Sequence, residues 1–534
     1  MNRNPVTAFV SIAGGRIGIV LVSVLVTPAL VRVLSRSQYG AYGFLMALFG
    51  MLMILVSSGI NSGVRKFLAE DRTAADWKSN VFSFYGRVAF ALAIVPAVAL
   101  VLAAYTGVVT RIPNVGPAFV PYFYLLAALT LAAQFREYVR RALMGLELEH
   151  VSEPIRVVHK VAFGVTAVGL AVLGYGVGGV LVGEILASVL AGLVTFHYVR
   201  REISLSRVIE PLPDSFPRRE LFSFNNRTVV YIFLLTSLYH VDVLMLQGVR
   251  SSQSVAIYKG ALVIVQFLWL VPRSVQSVMI QEASGLWADG DLDAVNELAS
   301  KATRYTLLFT LLLAVGLGAL AGDFVPLYLS QDYAAAVVPV LLLLPGTIGF
   351  AIARPVFAIS HAKGELNVII VATAASALIN VGLNAVLIPR YGILGAAVAT
   401  SVGYGSLPIV HFVGARHIGY EPFADARLGR VALSGLLAGV PIVLLSLAID
   451  RSLVALAVVP PVGFLLFAAF SLLTGALDLD EVLSVFVALP APIGPRARAL
   501  RQRHRDASRA LLLSTDQVHS LLTRSLFVIG VLLF

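Results

Sequence analysis

The sequence predicts an all-α polytopic membrane protein with about fourteen transmembrane helices. These form two six-helix lobes related by a pseudo-two-fold axis along the membrane normal, plus two extra C-terminal helices. Three observations lead there. Of 534 residues, 58% are hydrophobic and only 13% charged, where a soluble domain carries about 25% charged residues. The apolar runs approach the roughly 20 residues that one helix needs to cross a bilayer, whereas a barrel would show short alternating segments. And one turn is spelled twice, in "LVRVLSRSQYGAY" and in "LQGVRSSQSVAIY".

Fourteen spans follow from the apolar runs, near 8–33, 40–66, 81–107, 118–143, 154–174, 177–199, 221–248, 254–283, 302–323, 335–361, 366–388, 391–415, 428–449 and 452–475. Residues 8–33 are too long for the apolar core of a cleavable signal peptide and lack its cleavage site, so they read as the first span. Most connections are short, which makes neighbouring helices antiparallel. Basic residues collect on the cytoplasmic side of multi-pass proteins. With the N-terminus inside, 21 Lys and Arg, from Arg3 and Arg65 to Arg136, Arg200, Lys301 and Arg430, fall inside, against 6 outside: Arg32, Arg36, Arg111, Arg250, Arg390 and Arg451. Both termini are therefore expected in the cytoplasm. The net charge of +11 is then mostly topology, and no nucleic-acid partner is expected. The absence of cysteine excludes disulfides, thiol catalysis and Cys-based metal sites.

The turns set the domain plan. Tyr42 and Tyr258 are 216 residues apart, and so are Tyr175 and Tyr391, Gly176 and Gly392, and Gly179 and Gly395. One offset at two landmarks implies two copies of a six-helix unit, and because six is even both copies point the same way. The expected organisation is an N-lobe over 1–200, a cytoplasmic linker over 201–220, a second lobe over 221–417, two further helices over 418–476 and a basic cytoplasmic tail over 477–534. Six arginines lie between 496 and 509 against Asp506. They suit membrane lipids with anionic headgroups, at about 1 kcal/mol per basic residue, or a solvated tail held inside by topology. The final "SLFVIGVLLF" is short for a span and reads as interfacial or unstructured. Two parallel lobes suit a carrier that binds between them and rocks.

The stretch "LVTPALVRVLSRSQYGAYGFLMALFGMLMILVSSGINSGVRKFLAE" resembles the opening of the Wzx-type polysaccharide flippases of the multidrug/oligosaccharidyl-lipid/polysaccharide exporter superfamily. Arg32-Val33-Leu34, Tyr39-Gly40-Ala41-Tyr42 and Arg65-Lys66 carry the likeness, and Asp242, Gly248 and Tyr258 match the family's seventh-to-eighth helix junction. The resemblance covers spans 1 to 12. It implies a flippase in a prokaryotic plasma membrane that moves lipid-linked oligosaccharide from the cytoplasmic to the outer leaflet. Helices 1, 2, 7 and 8 would line its cavity, and glycan assembly enzymes are implied partners. No cofactor is expected beyond H+ or Na+ as a coupling ion.

Charges within a bilayer are costly and usually functional. Arg16, Arg87, Arg227, Lys259, Arg273 and Arg354 fall within spans. At about 1.5 Å rise per residue, Arg16 lies about 12 Å, and Arg273 about 15 Å, from the cytoplasmic ends of their helices. On the implied cavity helices both are candidates to clamp a substrate phosphate, which Arg matches bidentately; the alternative is that each caps a helix or pairs with an acid. Arg227, with Asn225 and Asn226, lies at the inner mouth of span 7 and is a further phosphate candidate, or snorkels. Asp242 and Lys259 are candidates for an outer-gate ion pair or a coupling site. Glu184 is either a proton site or the partner of an unidentified cation. Asn380 and Asn384 share one helix face and suit interhelical hydrogen bonds. Gly14-Gly15, Pro28 and Pro272 are possible bends or close-packing points.

Other motifs carry less. "GYGVGG" follows no strand and is not a dinucleotide site. Asp291-Leu-Asp293 and Asp478-Leu-Asp480 sit where helices begin and suit N-capping. Asn226-Arg-Thr228 is a sequon on the wrong side of the membrane. The rival readings are a cation-coupled multidrug exporter, which would want an acidic cavity, a membrane glycosyltransferase or polymerase, which would need a soluble catalytic domain, and a non-transporting scaffold.

Overall fold

In the computed structural model, the described residues are 5–70, 72, 76–204, 208, 210–223, 226–487, 494–496 and 498–503; the side chains of 5–17, 58, 223, 226, 227, 485 and 486 are outside the description. Every regular element among these residues is helical. The long helices are α1 (Pro5–Val33), α2 (Arg36–Ala69), α3 (Trp77–Tyr105), α4 (Val120–Gly145), α5 (Glu149–Leu170), α6 (Gly176–Glu202), α7 (Asn226–Val249) and α8 (Ser252–Gln266). They continue with α9 (Leu270–Asp289), α10 (Leu292–Tyr328), α11 (Val337–Ala362), α12 (Leu366–Tyr391), α13 (Ile393–His417), α14 (Leu428–Leu447), α15 (Ser452–Leu473) and the short α16 (Leu479–Val487). Twelve segments among the described residues are long and apolar enough to span a membrane; one of them, Glu149–Glu202, holds both α5 and α6, and α1 adds the shorter apolar run Gly18–Val33. Leu25, Val95, Leu378 and Leu447 are each at least two-thirds exposed, an outward apolar surface that suits lipid rather than water.

Local chemistry explains where the helices break. Ser35 ends the gap after α1: its Oγ accepts from the Gln38 amide at 3.3 Å, and the Ser35 amide donates to Gln38 Oε1 at 3.0 Å. This capping box starts α2 four residues before the apolar run does. The α7–α8 break falls at the same offset from it: Val33 and Arg36 correspond to Val249 and Ser252. At the α5–α6 and α12–α13 turns, Gly176 (φ 51°, ψ −134°) and Gly392 (φ 59°, ψ −125°) adopt one left-handed conformation that a side chain resists. Positions 216 apart thus share backbone as well as sequence. Pro272 lacks the N–H that would bond to Leu268, and Phe267–Trp269 between α8 and α9 tightens into a 3-10 turn. By contrast α1 runs unbroken through Gly14-Gly15 and Pro28. Asp291 caps α10, its Oδ1 accepting from the Ala294 amide at 3.0 Å, and Asp478 precedes α16 with its amide donating to Glu481 at 3.2 Å.

The chain divides into two compact units. The first comprises Met1–Gln266, Val325–Gly346 and Glu365–His411. Within it α1 packs on α5, and α7 packs on α12. One apolar core gathers Phe67, Trp77, Tyr85 and Phe216, and another Phe44, Phe119 and Leu126. The α2 and α8 helices meet so closely that a Cβ on Gly40 would collide with the Ser252 carbonyl, while one on Gly43 would lie 3.3 Å from Lys259 Cγ. Gly43 and Lys259 are themselves 216 apart, so equivalent positions meet each other, as at a two-fold contact.

The second unit comprises Phe267–Phe324, Thr347–Gly364 and Phe412–Phe534. Its core joins Leu307 and Leu308 to Val431, Ile442, Val459 and Phe467. Arg304, fully buried, is ion-paired to Glu481 and lies 3.7 Å from Asp425. Arg427 pairs with Asp478 at 2.8 Å. Arg501, one of the six tail arginines, donates to Asp480 at 3.0 Å, so that cation is used within the protein. Residues 504–534 lie outside the description.

Candidate functional site

Three polar clusters lie within the spans. The first is cationic. Arg273, on α9, is exposed. Its guanidinium lies 5.1 Å from the Trp269 ring centre and 5.8 Å from that of Phe350, and those two rings are 4.2 Å apart. On α11, Arg354 covers Phe350 at 4.1 Å and approaches Phe357 at 5.8 Å. Arg354 is only 2% exposed, and its Nε is buried without a hydrogen-bond partner. No described carboxylate pairs with it. Cation–π contact contributes about 2 kcal/mol when desolvated, well short of the several kcal/mol that burying an ion costs. The aromatic pair therefore holds two arginines, one presented and one withdrawn.

The second cluster surrounds Asp242, fully buried on α7. Its Oδ2 accepts from the Tyr258 hydroxyl and, at 3.0 Å, from Thr400 Oγ1. The Val243 amide donates to Oδ1 at 2.7 Å. Asn380 Nδ2 donates to Thr400 Oγ1 at 3.4 Å and to the Ala399 carbonyl at 3.3 Å, and Asn384 Nδ2 to Asn380 Oδ1 at 3.2 Å. Asn380 bonds between helices, whereas Asn384 bonds within α12 to Asn380, and Asn384 Oδ1 is left buried without a partner. The expected Asp242–Lys259 ion pair is not formed. Successive helical residues point about 100° apart; Tyr258 faces Asp242, so Lys259 turns toward Gly43 of α2.

The third cluster supplies the partner that Glu184 lacked in sequence. Arg136 Nη1, on α4, donates to Glu184 Oε1 at 3.1 Å and to Ser188 Oγ at 2.8 Å, and contacts His159 Nε2 of α5. Arg140 pairs with Glu137 at 2.8 Å, and Arg156 with Glu153 at 2.7 Å. Arg136, Glu137, Arg140, Arg156 and His159 border a cavity of about 180 Å³ lined by α4, α5 and α6 with Ile19 of α1. Arg136, counted among the inner-side cations although it falls within the expected span 118–143, lies well inside α4.

Arg16 lies in α1, and Asn226 and Arg227 begin α7, but their side chains, and Asn225 altogether, fall outside the described residues. Arg87 donates to the Val208 and Glu210 carbonyls at 3.2 and 2.6 Å, which fastens linker to α3. Among the described residues no group of three metal-ligating side chains occurs.

The model of the polysaccharide biosynthesis protein family matches residues 7–283. The chain belongs to that family. These are Wzx-like flippases with the fold of the multidrug/oligosaccharidyl-lipid/polysaccharide superfamily, a family of transporters rather than of enzymes. Among relatives, an uncharacterized membrane protein of Methanocaldococcus jannaschii, MJ1068, is 22% identical over 82% of this chain and 89% of its own length. The probable low-salt glycan biosynthesis flippase Agl15 of Haloferax volcanii is 22% identical over 71% of this chain and 77% of its own. Among solved structures, the lipid II flippase MurJ in an inward closed conformation superposes with a TM-score of 0.66 at 15% identity, covering 88% of this chain and 98% of that one. An inward-facing multidrug resistance MATE family transporter superposes at 0.61 and 14% identity, covering 80% and 98%. The family member described here is a multi-pass membrane protein with the MurJ- and MATE-like fold.

Proposed function

We propose that this protein flips a lipid-linked oligosaccharide, joined to its polyprenol through phosphate or diphosphate, from the cytoplasmic to the outer leaflet by alternating access, for surface polysaccharide or glycan assembly. The observation that carries the reading is the pair Arg273 and Arg354 on one aromatic floor, Arg273 exposed and Arg354 buried with its Nε unbonded: arginines placed within a span suit an anionic headgroup. The family, and relatives named as a glycan flippase and a lipid II flippase, support the substrate class. Reading α1 as a span, α5 and α6 as two, and α8 with α9 as one gives fourteen crossings. The recurring 216-residue offset supports two parallel six-helix lobes, 1–200 and 221–417, joined by a linker. An even number of crossings together with the basic inner loops favours cytoplasmic termini in a prokaryotic plasma membrane.

Arg16, with Arg273, remains the proposed phosphate clamp, and Arg227 a further contact. Asp242, with Asn380, Asn384 and Thr400, is the coupling candidate: a buried carboxylate amid oxygen donors takes H+ or Na+. A cation-coupled multidrug exporter is the second reading. Full-length protein in liposomes, with a fluorescent polyprenyl-diphosphate sugar and an outside quencher, tests both. Flipping supports the proposal. No flipping with several glycan lipids, but uptake of a cationic dye along an ion gradient, would replace it with the exporter.

A further inference from the structure

The cavity within the α4–α6 bundle is lined mainly by charged side chains. Its walls carry Arg136 and Arg140 from α4 and Arg156, His159 and Lys160 from α5. Three carboxylates answer the charges: Glu184 meets Arg136, Glu137 meets Arg140, and Glu153 meets Arg156. Lys160 is left over. Its ammonium lies 4.9 Å from the Phe163 ring, and among the described residues no carboxylate or acceptor bonds to it. Ala191 and Thr195 keep the α6 wall small. At ~30 Å³ per water, the space holds about six waters.

The second copy shows that the helices form without these charges. At the positions 216 residues on from Arg136, Glu137, Arg140, Arg156, His159 and Lys160, the chain carries Ile352, Ala353, Val356, Ala372, Ala375 and Ser376. The second copy builds the same helices with apolar or small side chains. Charges are expensive inside a bilayer, and a surplus cation beside an open cavity calls for a mobile counter-anion.

We infer that this cavity binds one phosphate group, presented by a lipid headgroup or as free phosphate, with Lys160 and Arg156 as its principal ligands. The site is separate from the Arg273–Arg354 pair, and the inference stands whether or not the transport reading does. Arg156 sits about 10 Å, and Lys160 about 16 Å, along α5 from its first residue, within reach of phosphates at the inner leaflet if that end is cytoplasmic.

The test is the thermal unfolding midpoint of the full chain in nanodiscs. Three conditions are compared: phosphatidylcholine alone, equal parts phosphatidylcholine and phosphatidylglycerol, and phosphatidylcholine with inorganic phosphate titrated in. Wild type is expected to gain stability from at least one anion. A rise with phosphatidylglycerol alone identifies a lipid headgroup, and a rise with inorganic phosphate identifies the free ion. Lys160→Gln should bind the active anion at least about tenfold more weakly, the loss of one charge-assisted hydrogen bond. In phosphatidylcholine alone it should be no less stable than wild type, because it removes an unpaired charge. Arg111→Gln, an equal loss of charge outside the cavity, should respond like wild type. A wild type indifferent to both anions, or an equal response in Lys160→Gln, would overturn the inference.

Discussion

Glu184 and Thr400 stand 216 residues apart, the offset that relates the two glycine turns, yet their surroundings differ in kind. Glu184 meets Arg136 and His159, which line a cavity of about 180 Å³. Around Thr400 is one carboxylate, sealed by hydroxyls and amides, with Asp242, Tyr258 and Thr400 all fully buried. The backbone turns are the same, and Tyr42 matches Tyr258. One scaffold therefore tolerates either an open cluster of paired ions or a dry hydrogen-bonded carboxylate. Helix packing here rests on apolar and small side chains, so the polar positions were free to diverge toward separate tasks.

Breaking each cluster should show the difference in size. Glu184→Gln removes the nearer of the two carboxylates on Arg136, leaving Glu137 at 3.6 Å, and should cost about 3 kcal/mol, the low end for a broken buried pair, read as a lower thermal midpoint; adding Arg136→Gln should recover part of that loss. An additive double mutant would mean that the two side chains are not coupled. In the other cluster, Thr400→Val removes one donor to Asp242 while Tyr258 and the Val243 amide remain. A loss of about 1–2 kcal/mol is expected, and a loss as large as that of Glu184→Gln would erase the distinction.

A half-buried pair outside the spans gives the lower bound. The hydrogen bond from Arg427 to Asp478, 2.8 Å long, holds the Asp478 carboxyl below its ordinary value. A depressed carboxylate contributes stability above its unfolded pKa, about 3.9, and loses it as pH falls through the folded value. Asp478→Asn should therefore cost at most about 1 kcal/mol at neutral pH, with wild type and variant converging in acid. A difference that persisted or grew in acid would contradict this sign.

Much of the fold was legible because its signals are local. Apolar runs placed the helices, and glycine turns such as Gly176 and Gly392 betrayed the repeat. Helix ends moved wherever capping outranked hydropathy, as at Ser35. What stayed hidden was tertiary. Arg136 looked like an inner-side cation because an arginine near the end of an apolar run reads the same in water or in a bundle, and only the packing of α4 on α6 brings Glu184 to it. Arg354 was visible as a charge within a span, but the lack of a carboxylate around it is a fact about several helices at once. Asp242 was visible as a carboxylate within a span, but helical phase decides which of the neighbours Tyr258 and Lys259 meets it, and Tyr258 does.

The central claim is that cations in the spans carry an anionic headgroup across. The most direct measurement is the flipping rate of a polyprenyl-diphosphate sugar in liposomes by wild type, by Arg273→Ala and by Arg273→Ala with Arg354→Gln, each verified as folded by its thermal midpoint. The account predicts flipping by wild type, at least a tenfold loss for Arg273→Ala, in line with one charge-assisted contact of about 1.5–3 kcal/mol, and a further loss in the double variant. Full flipping by a folded double variant would contradict it.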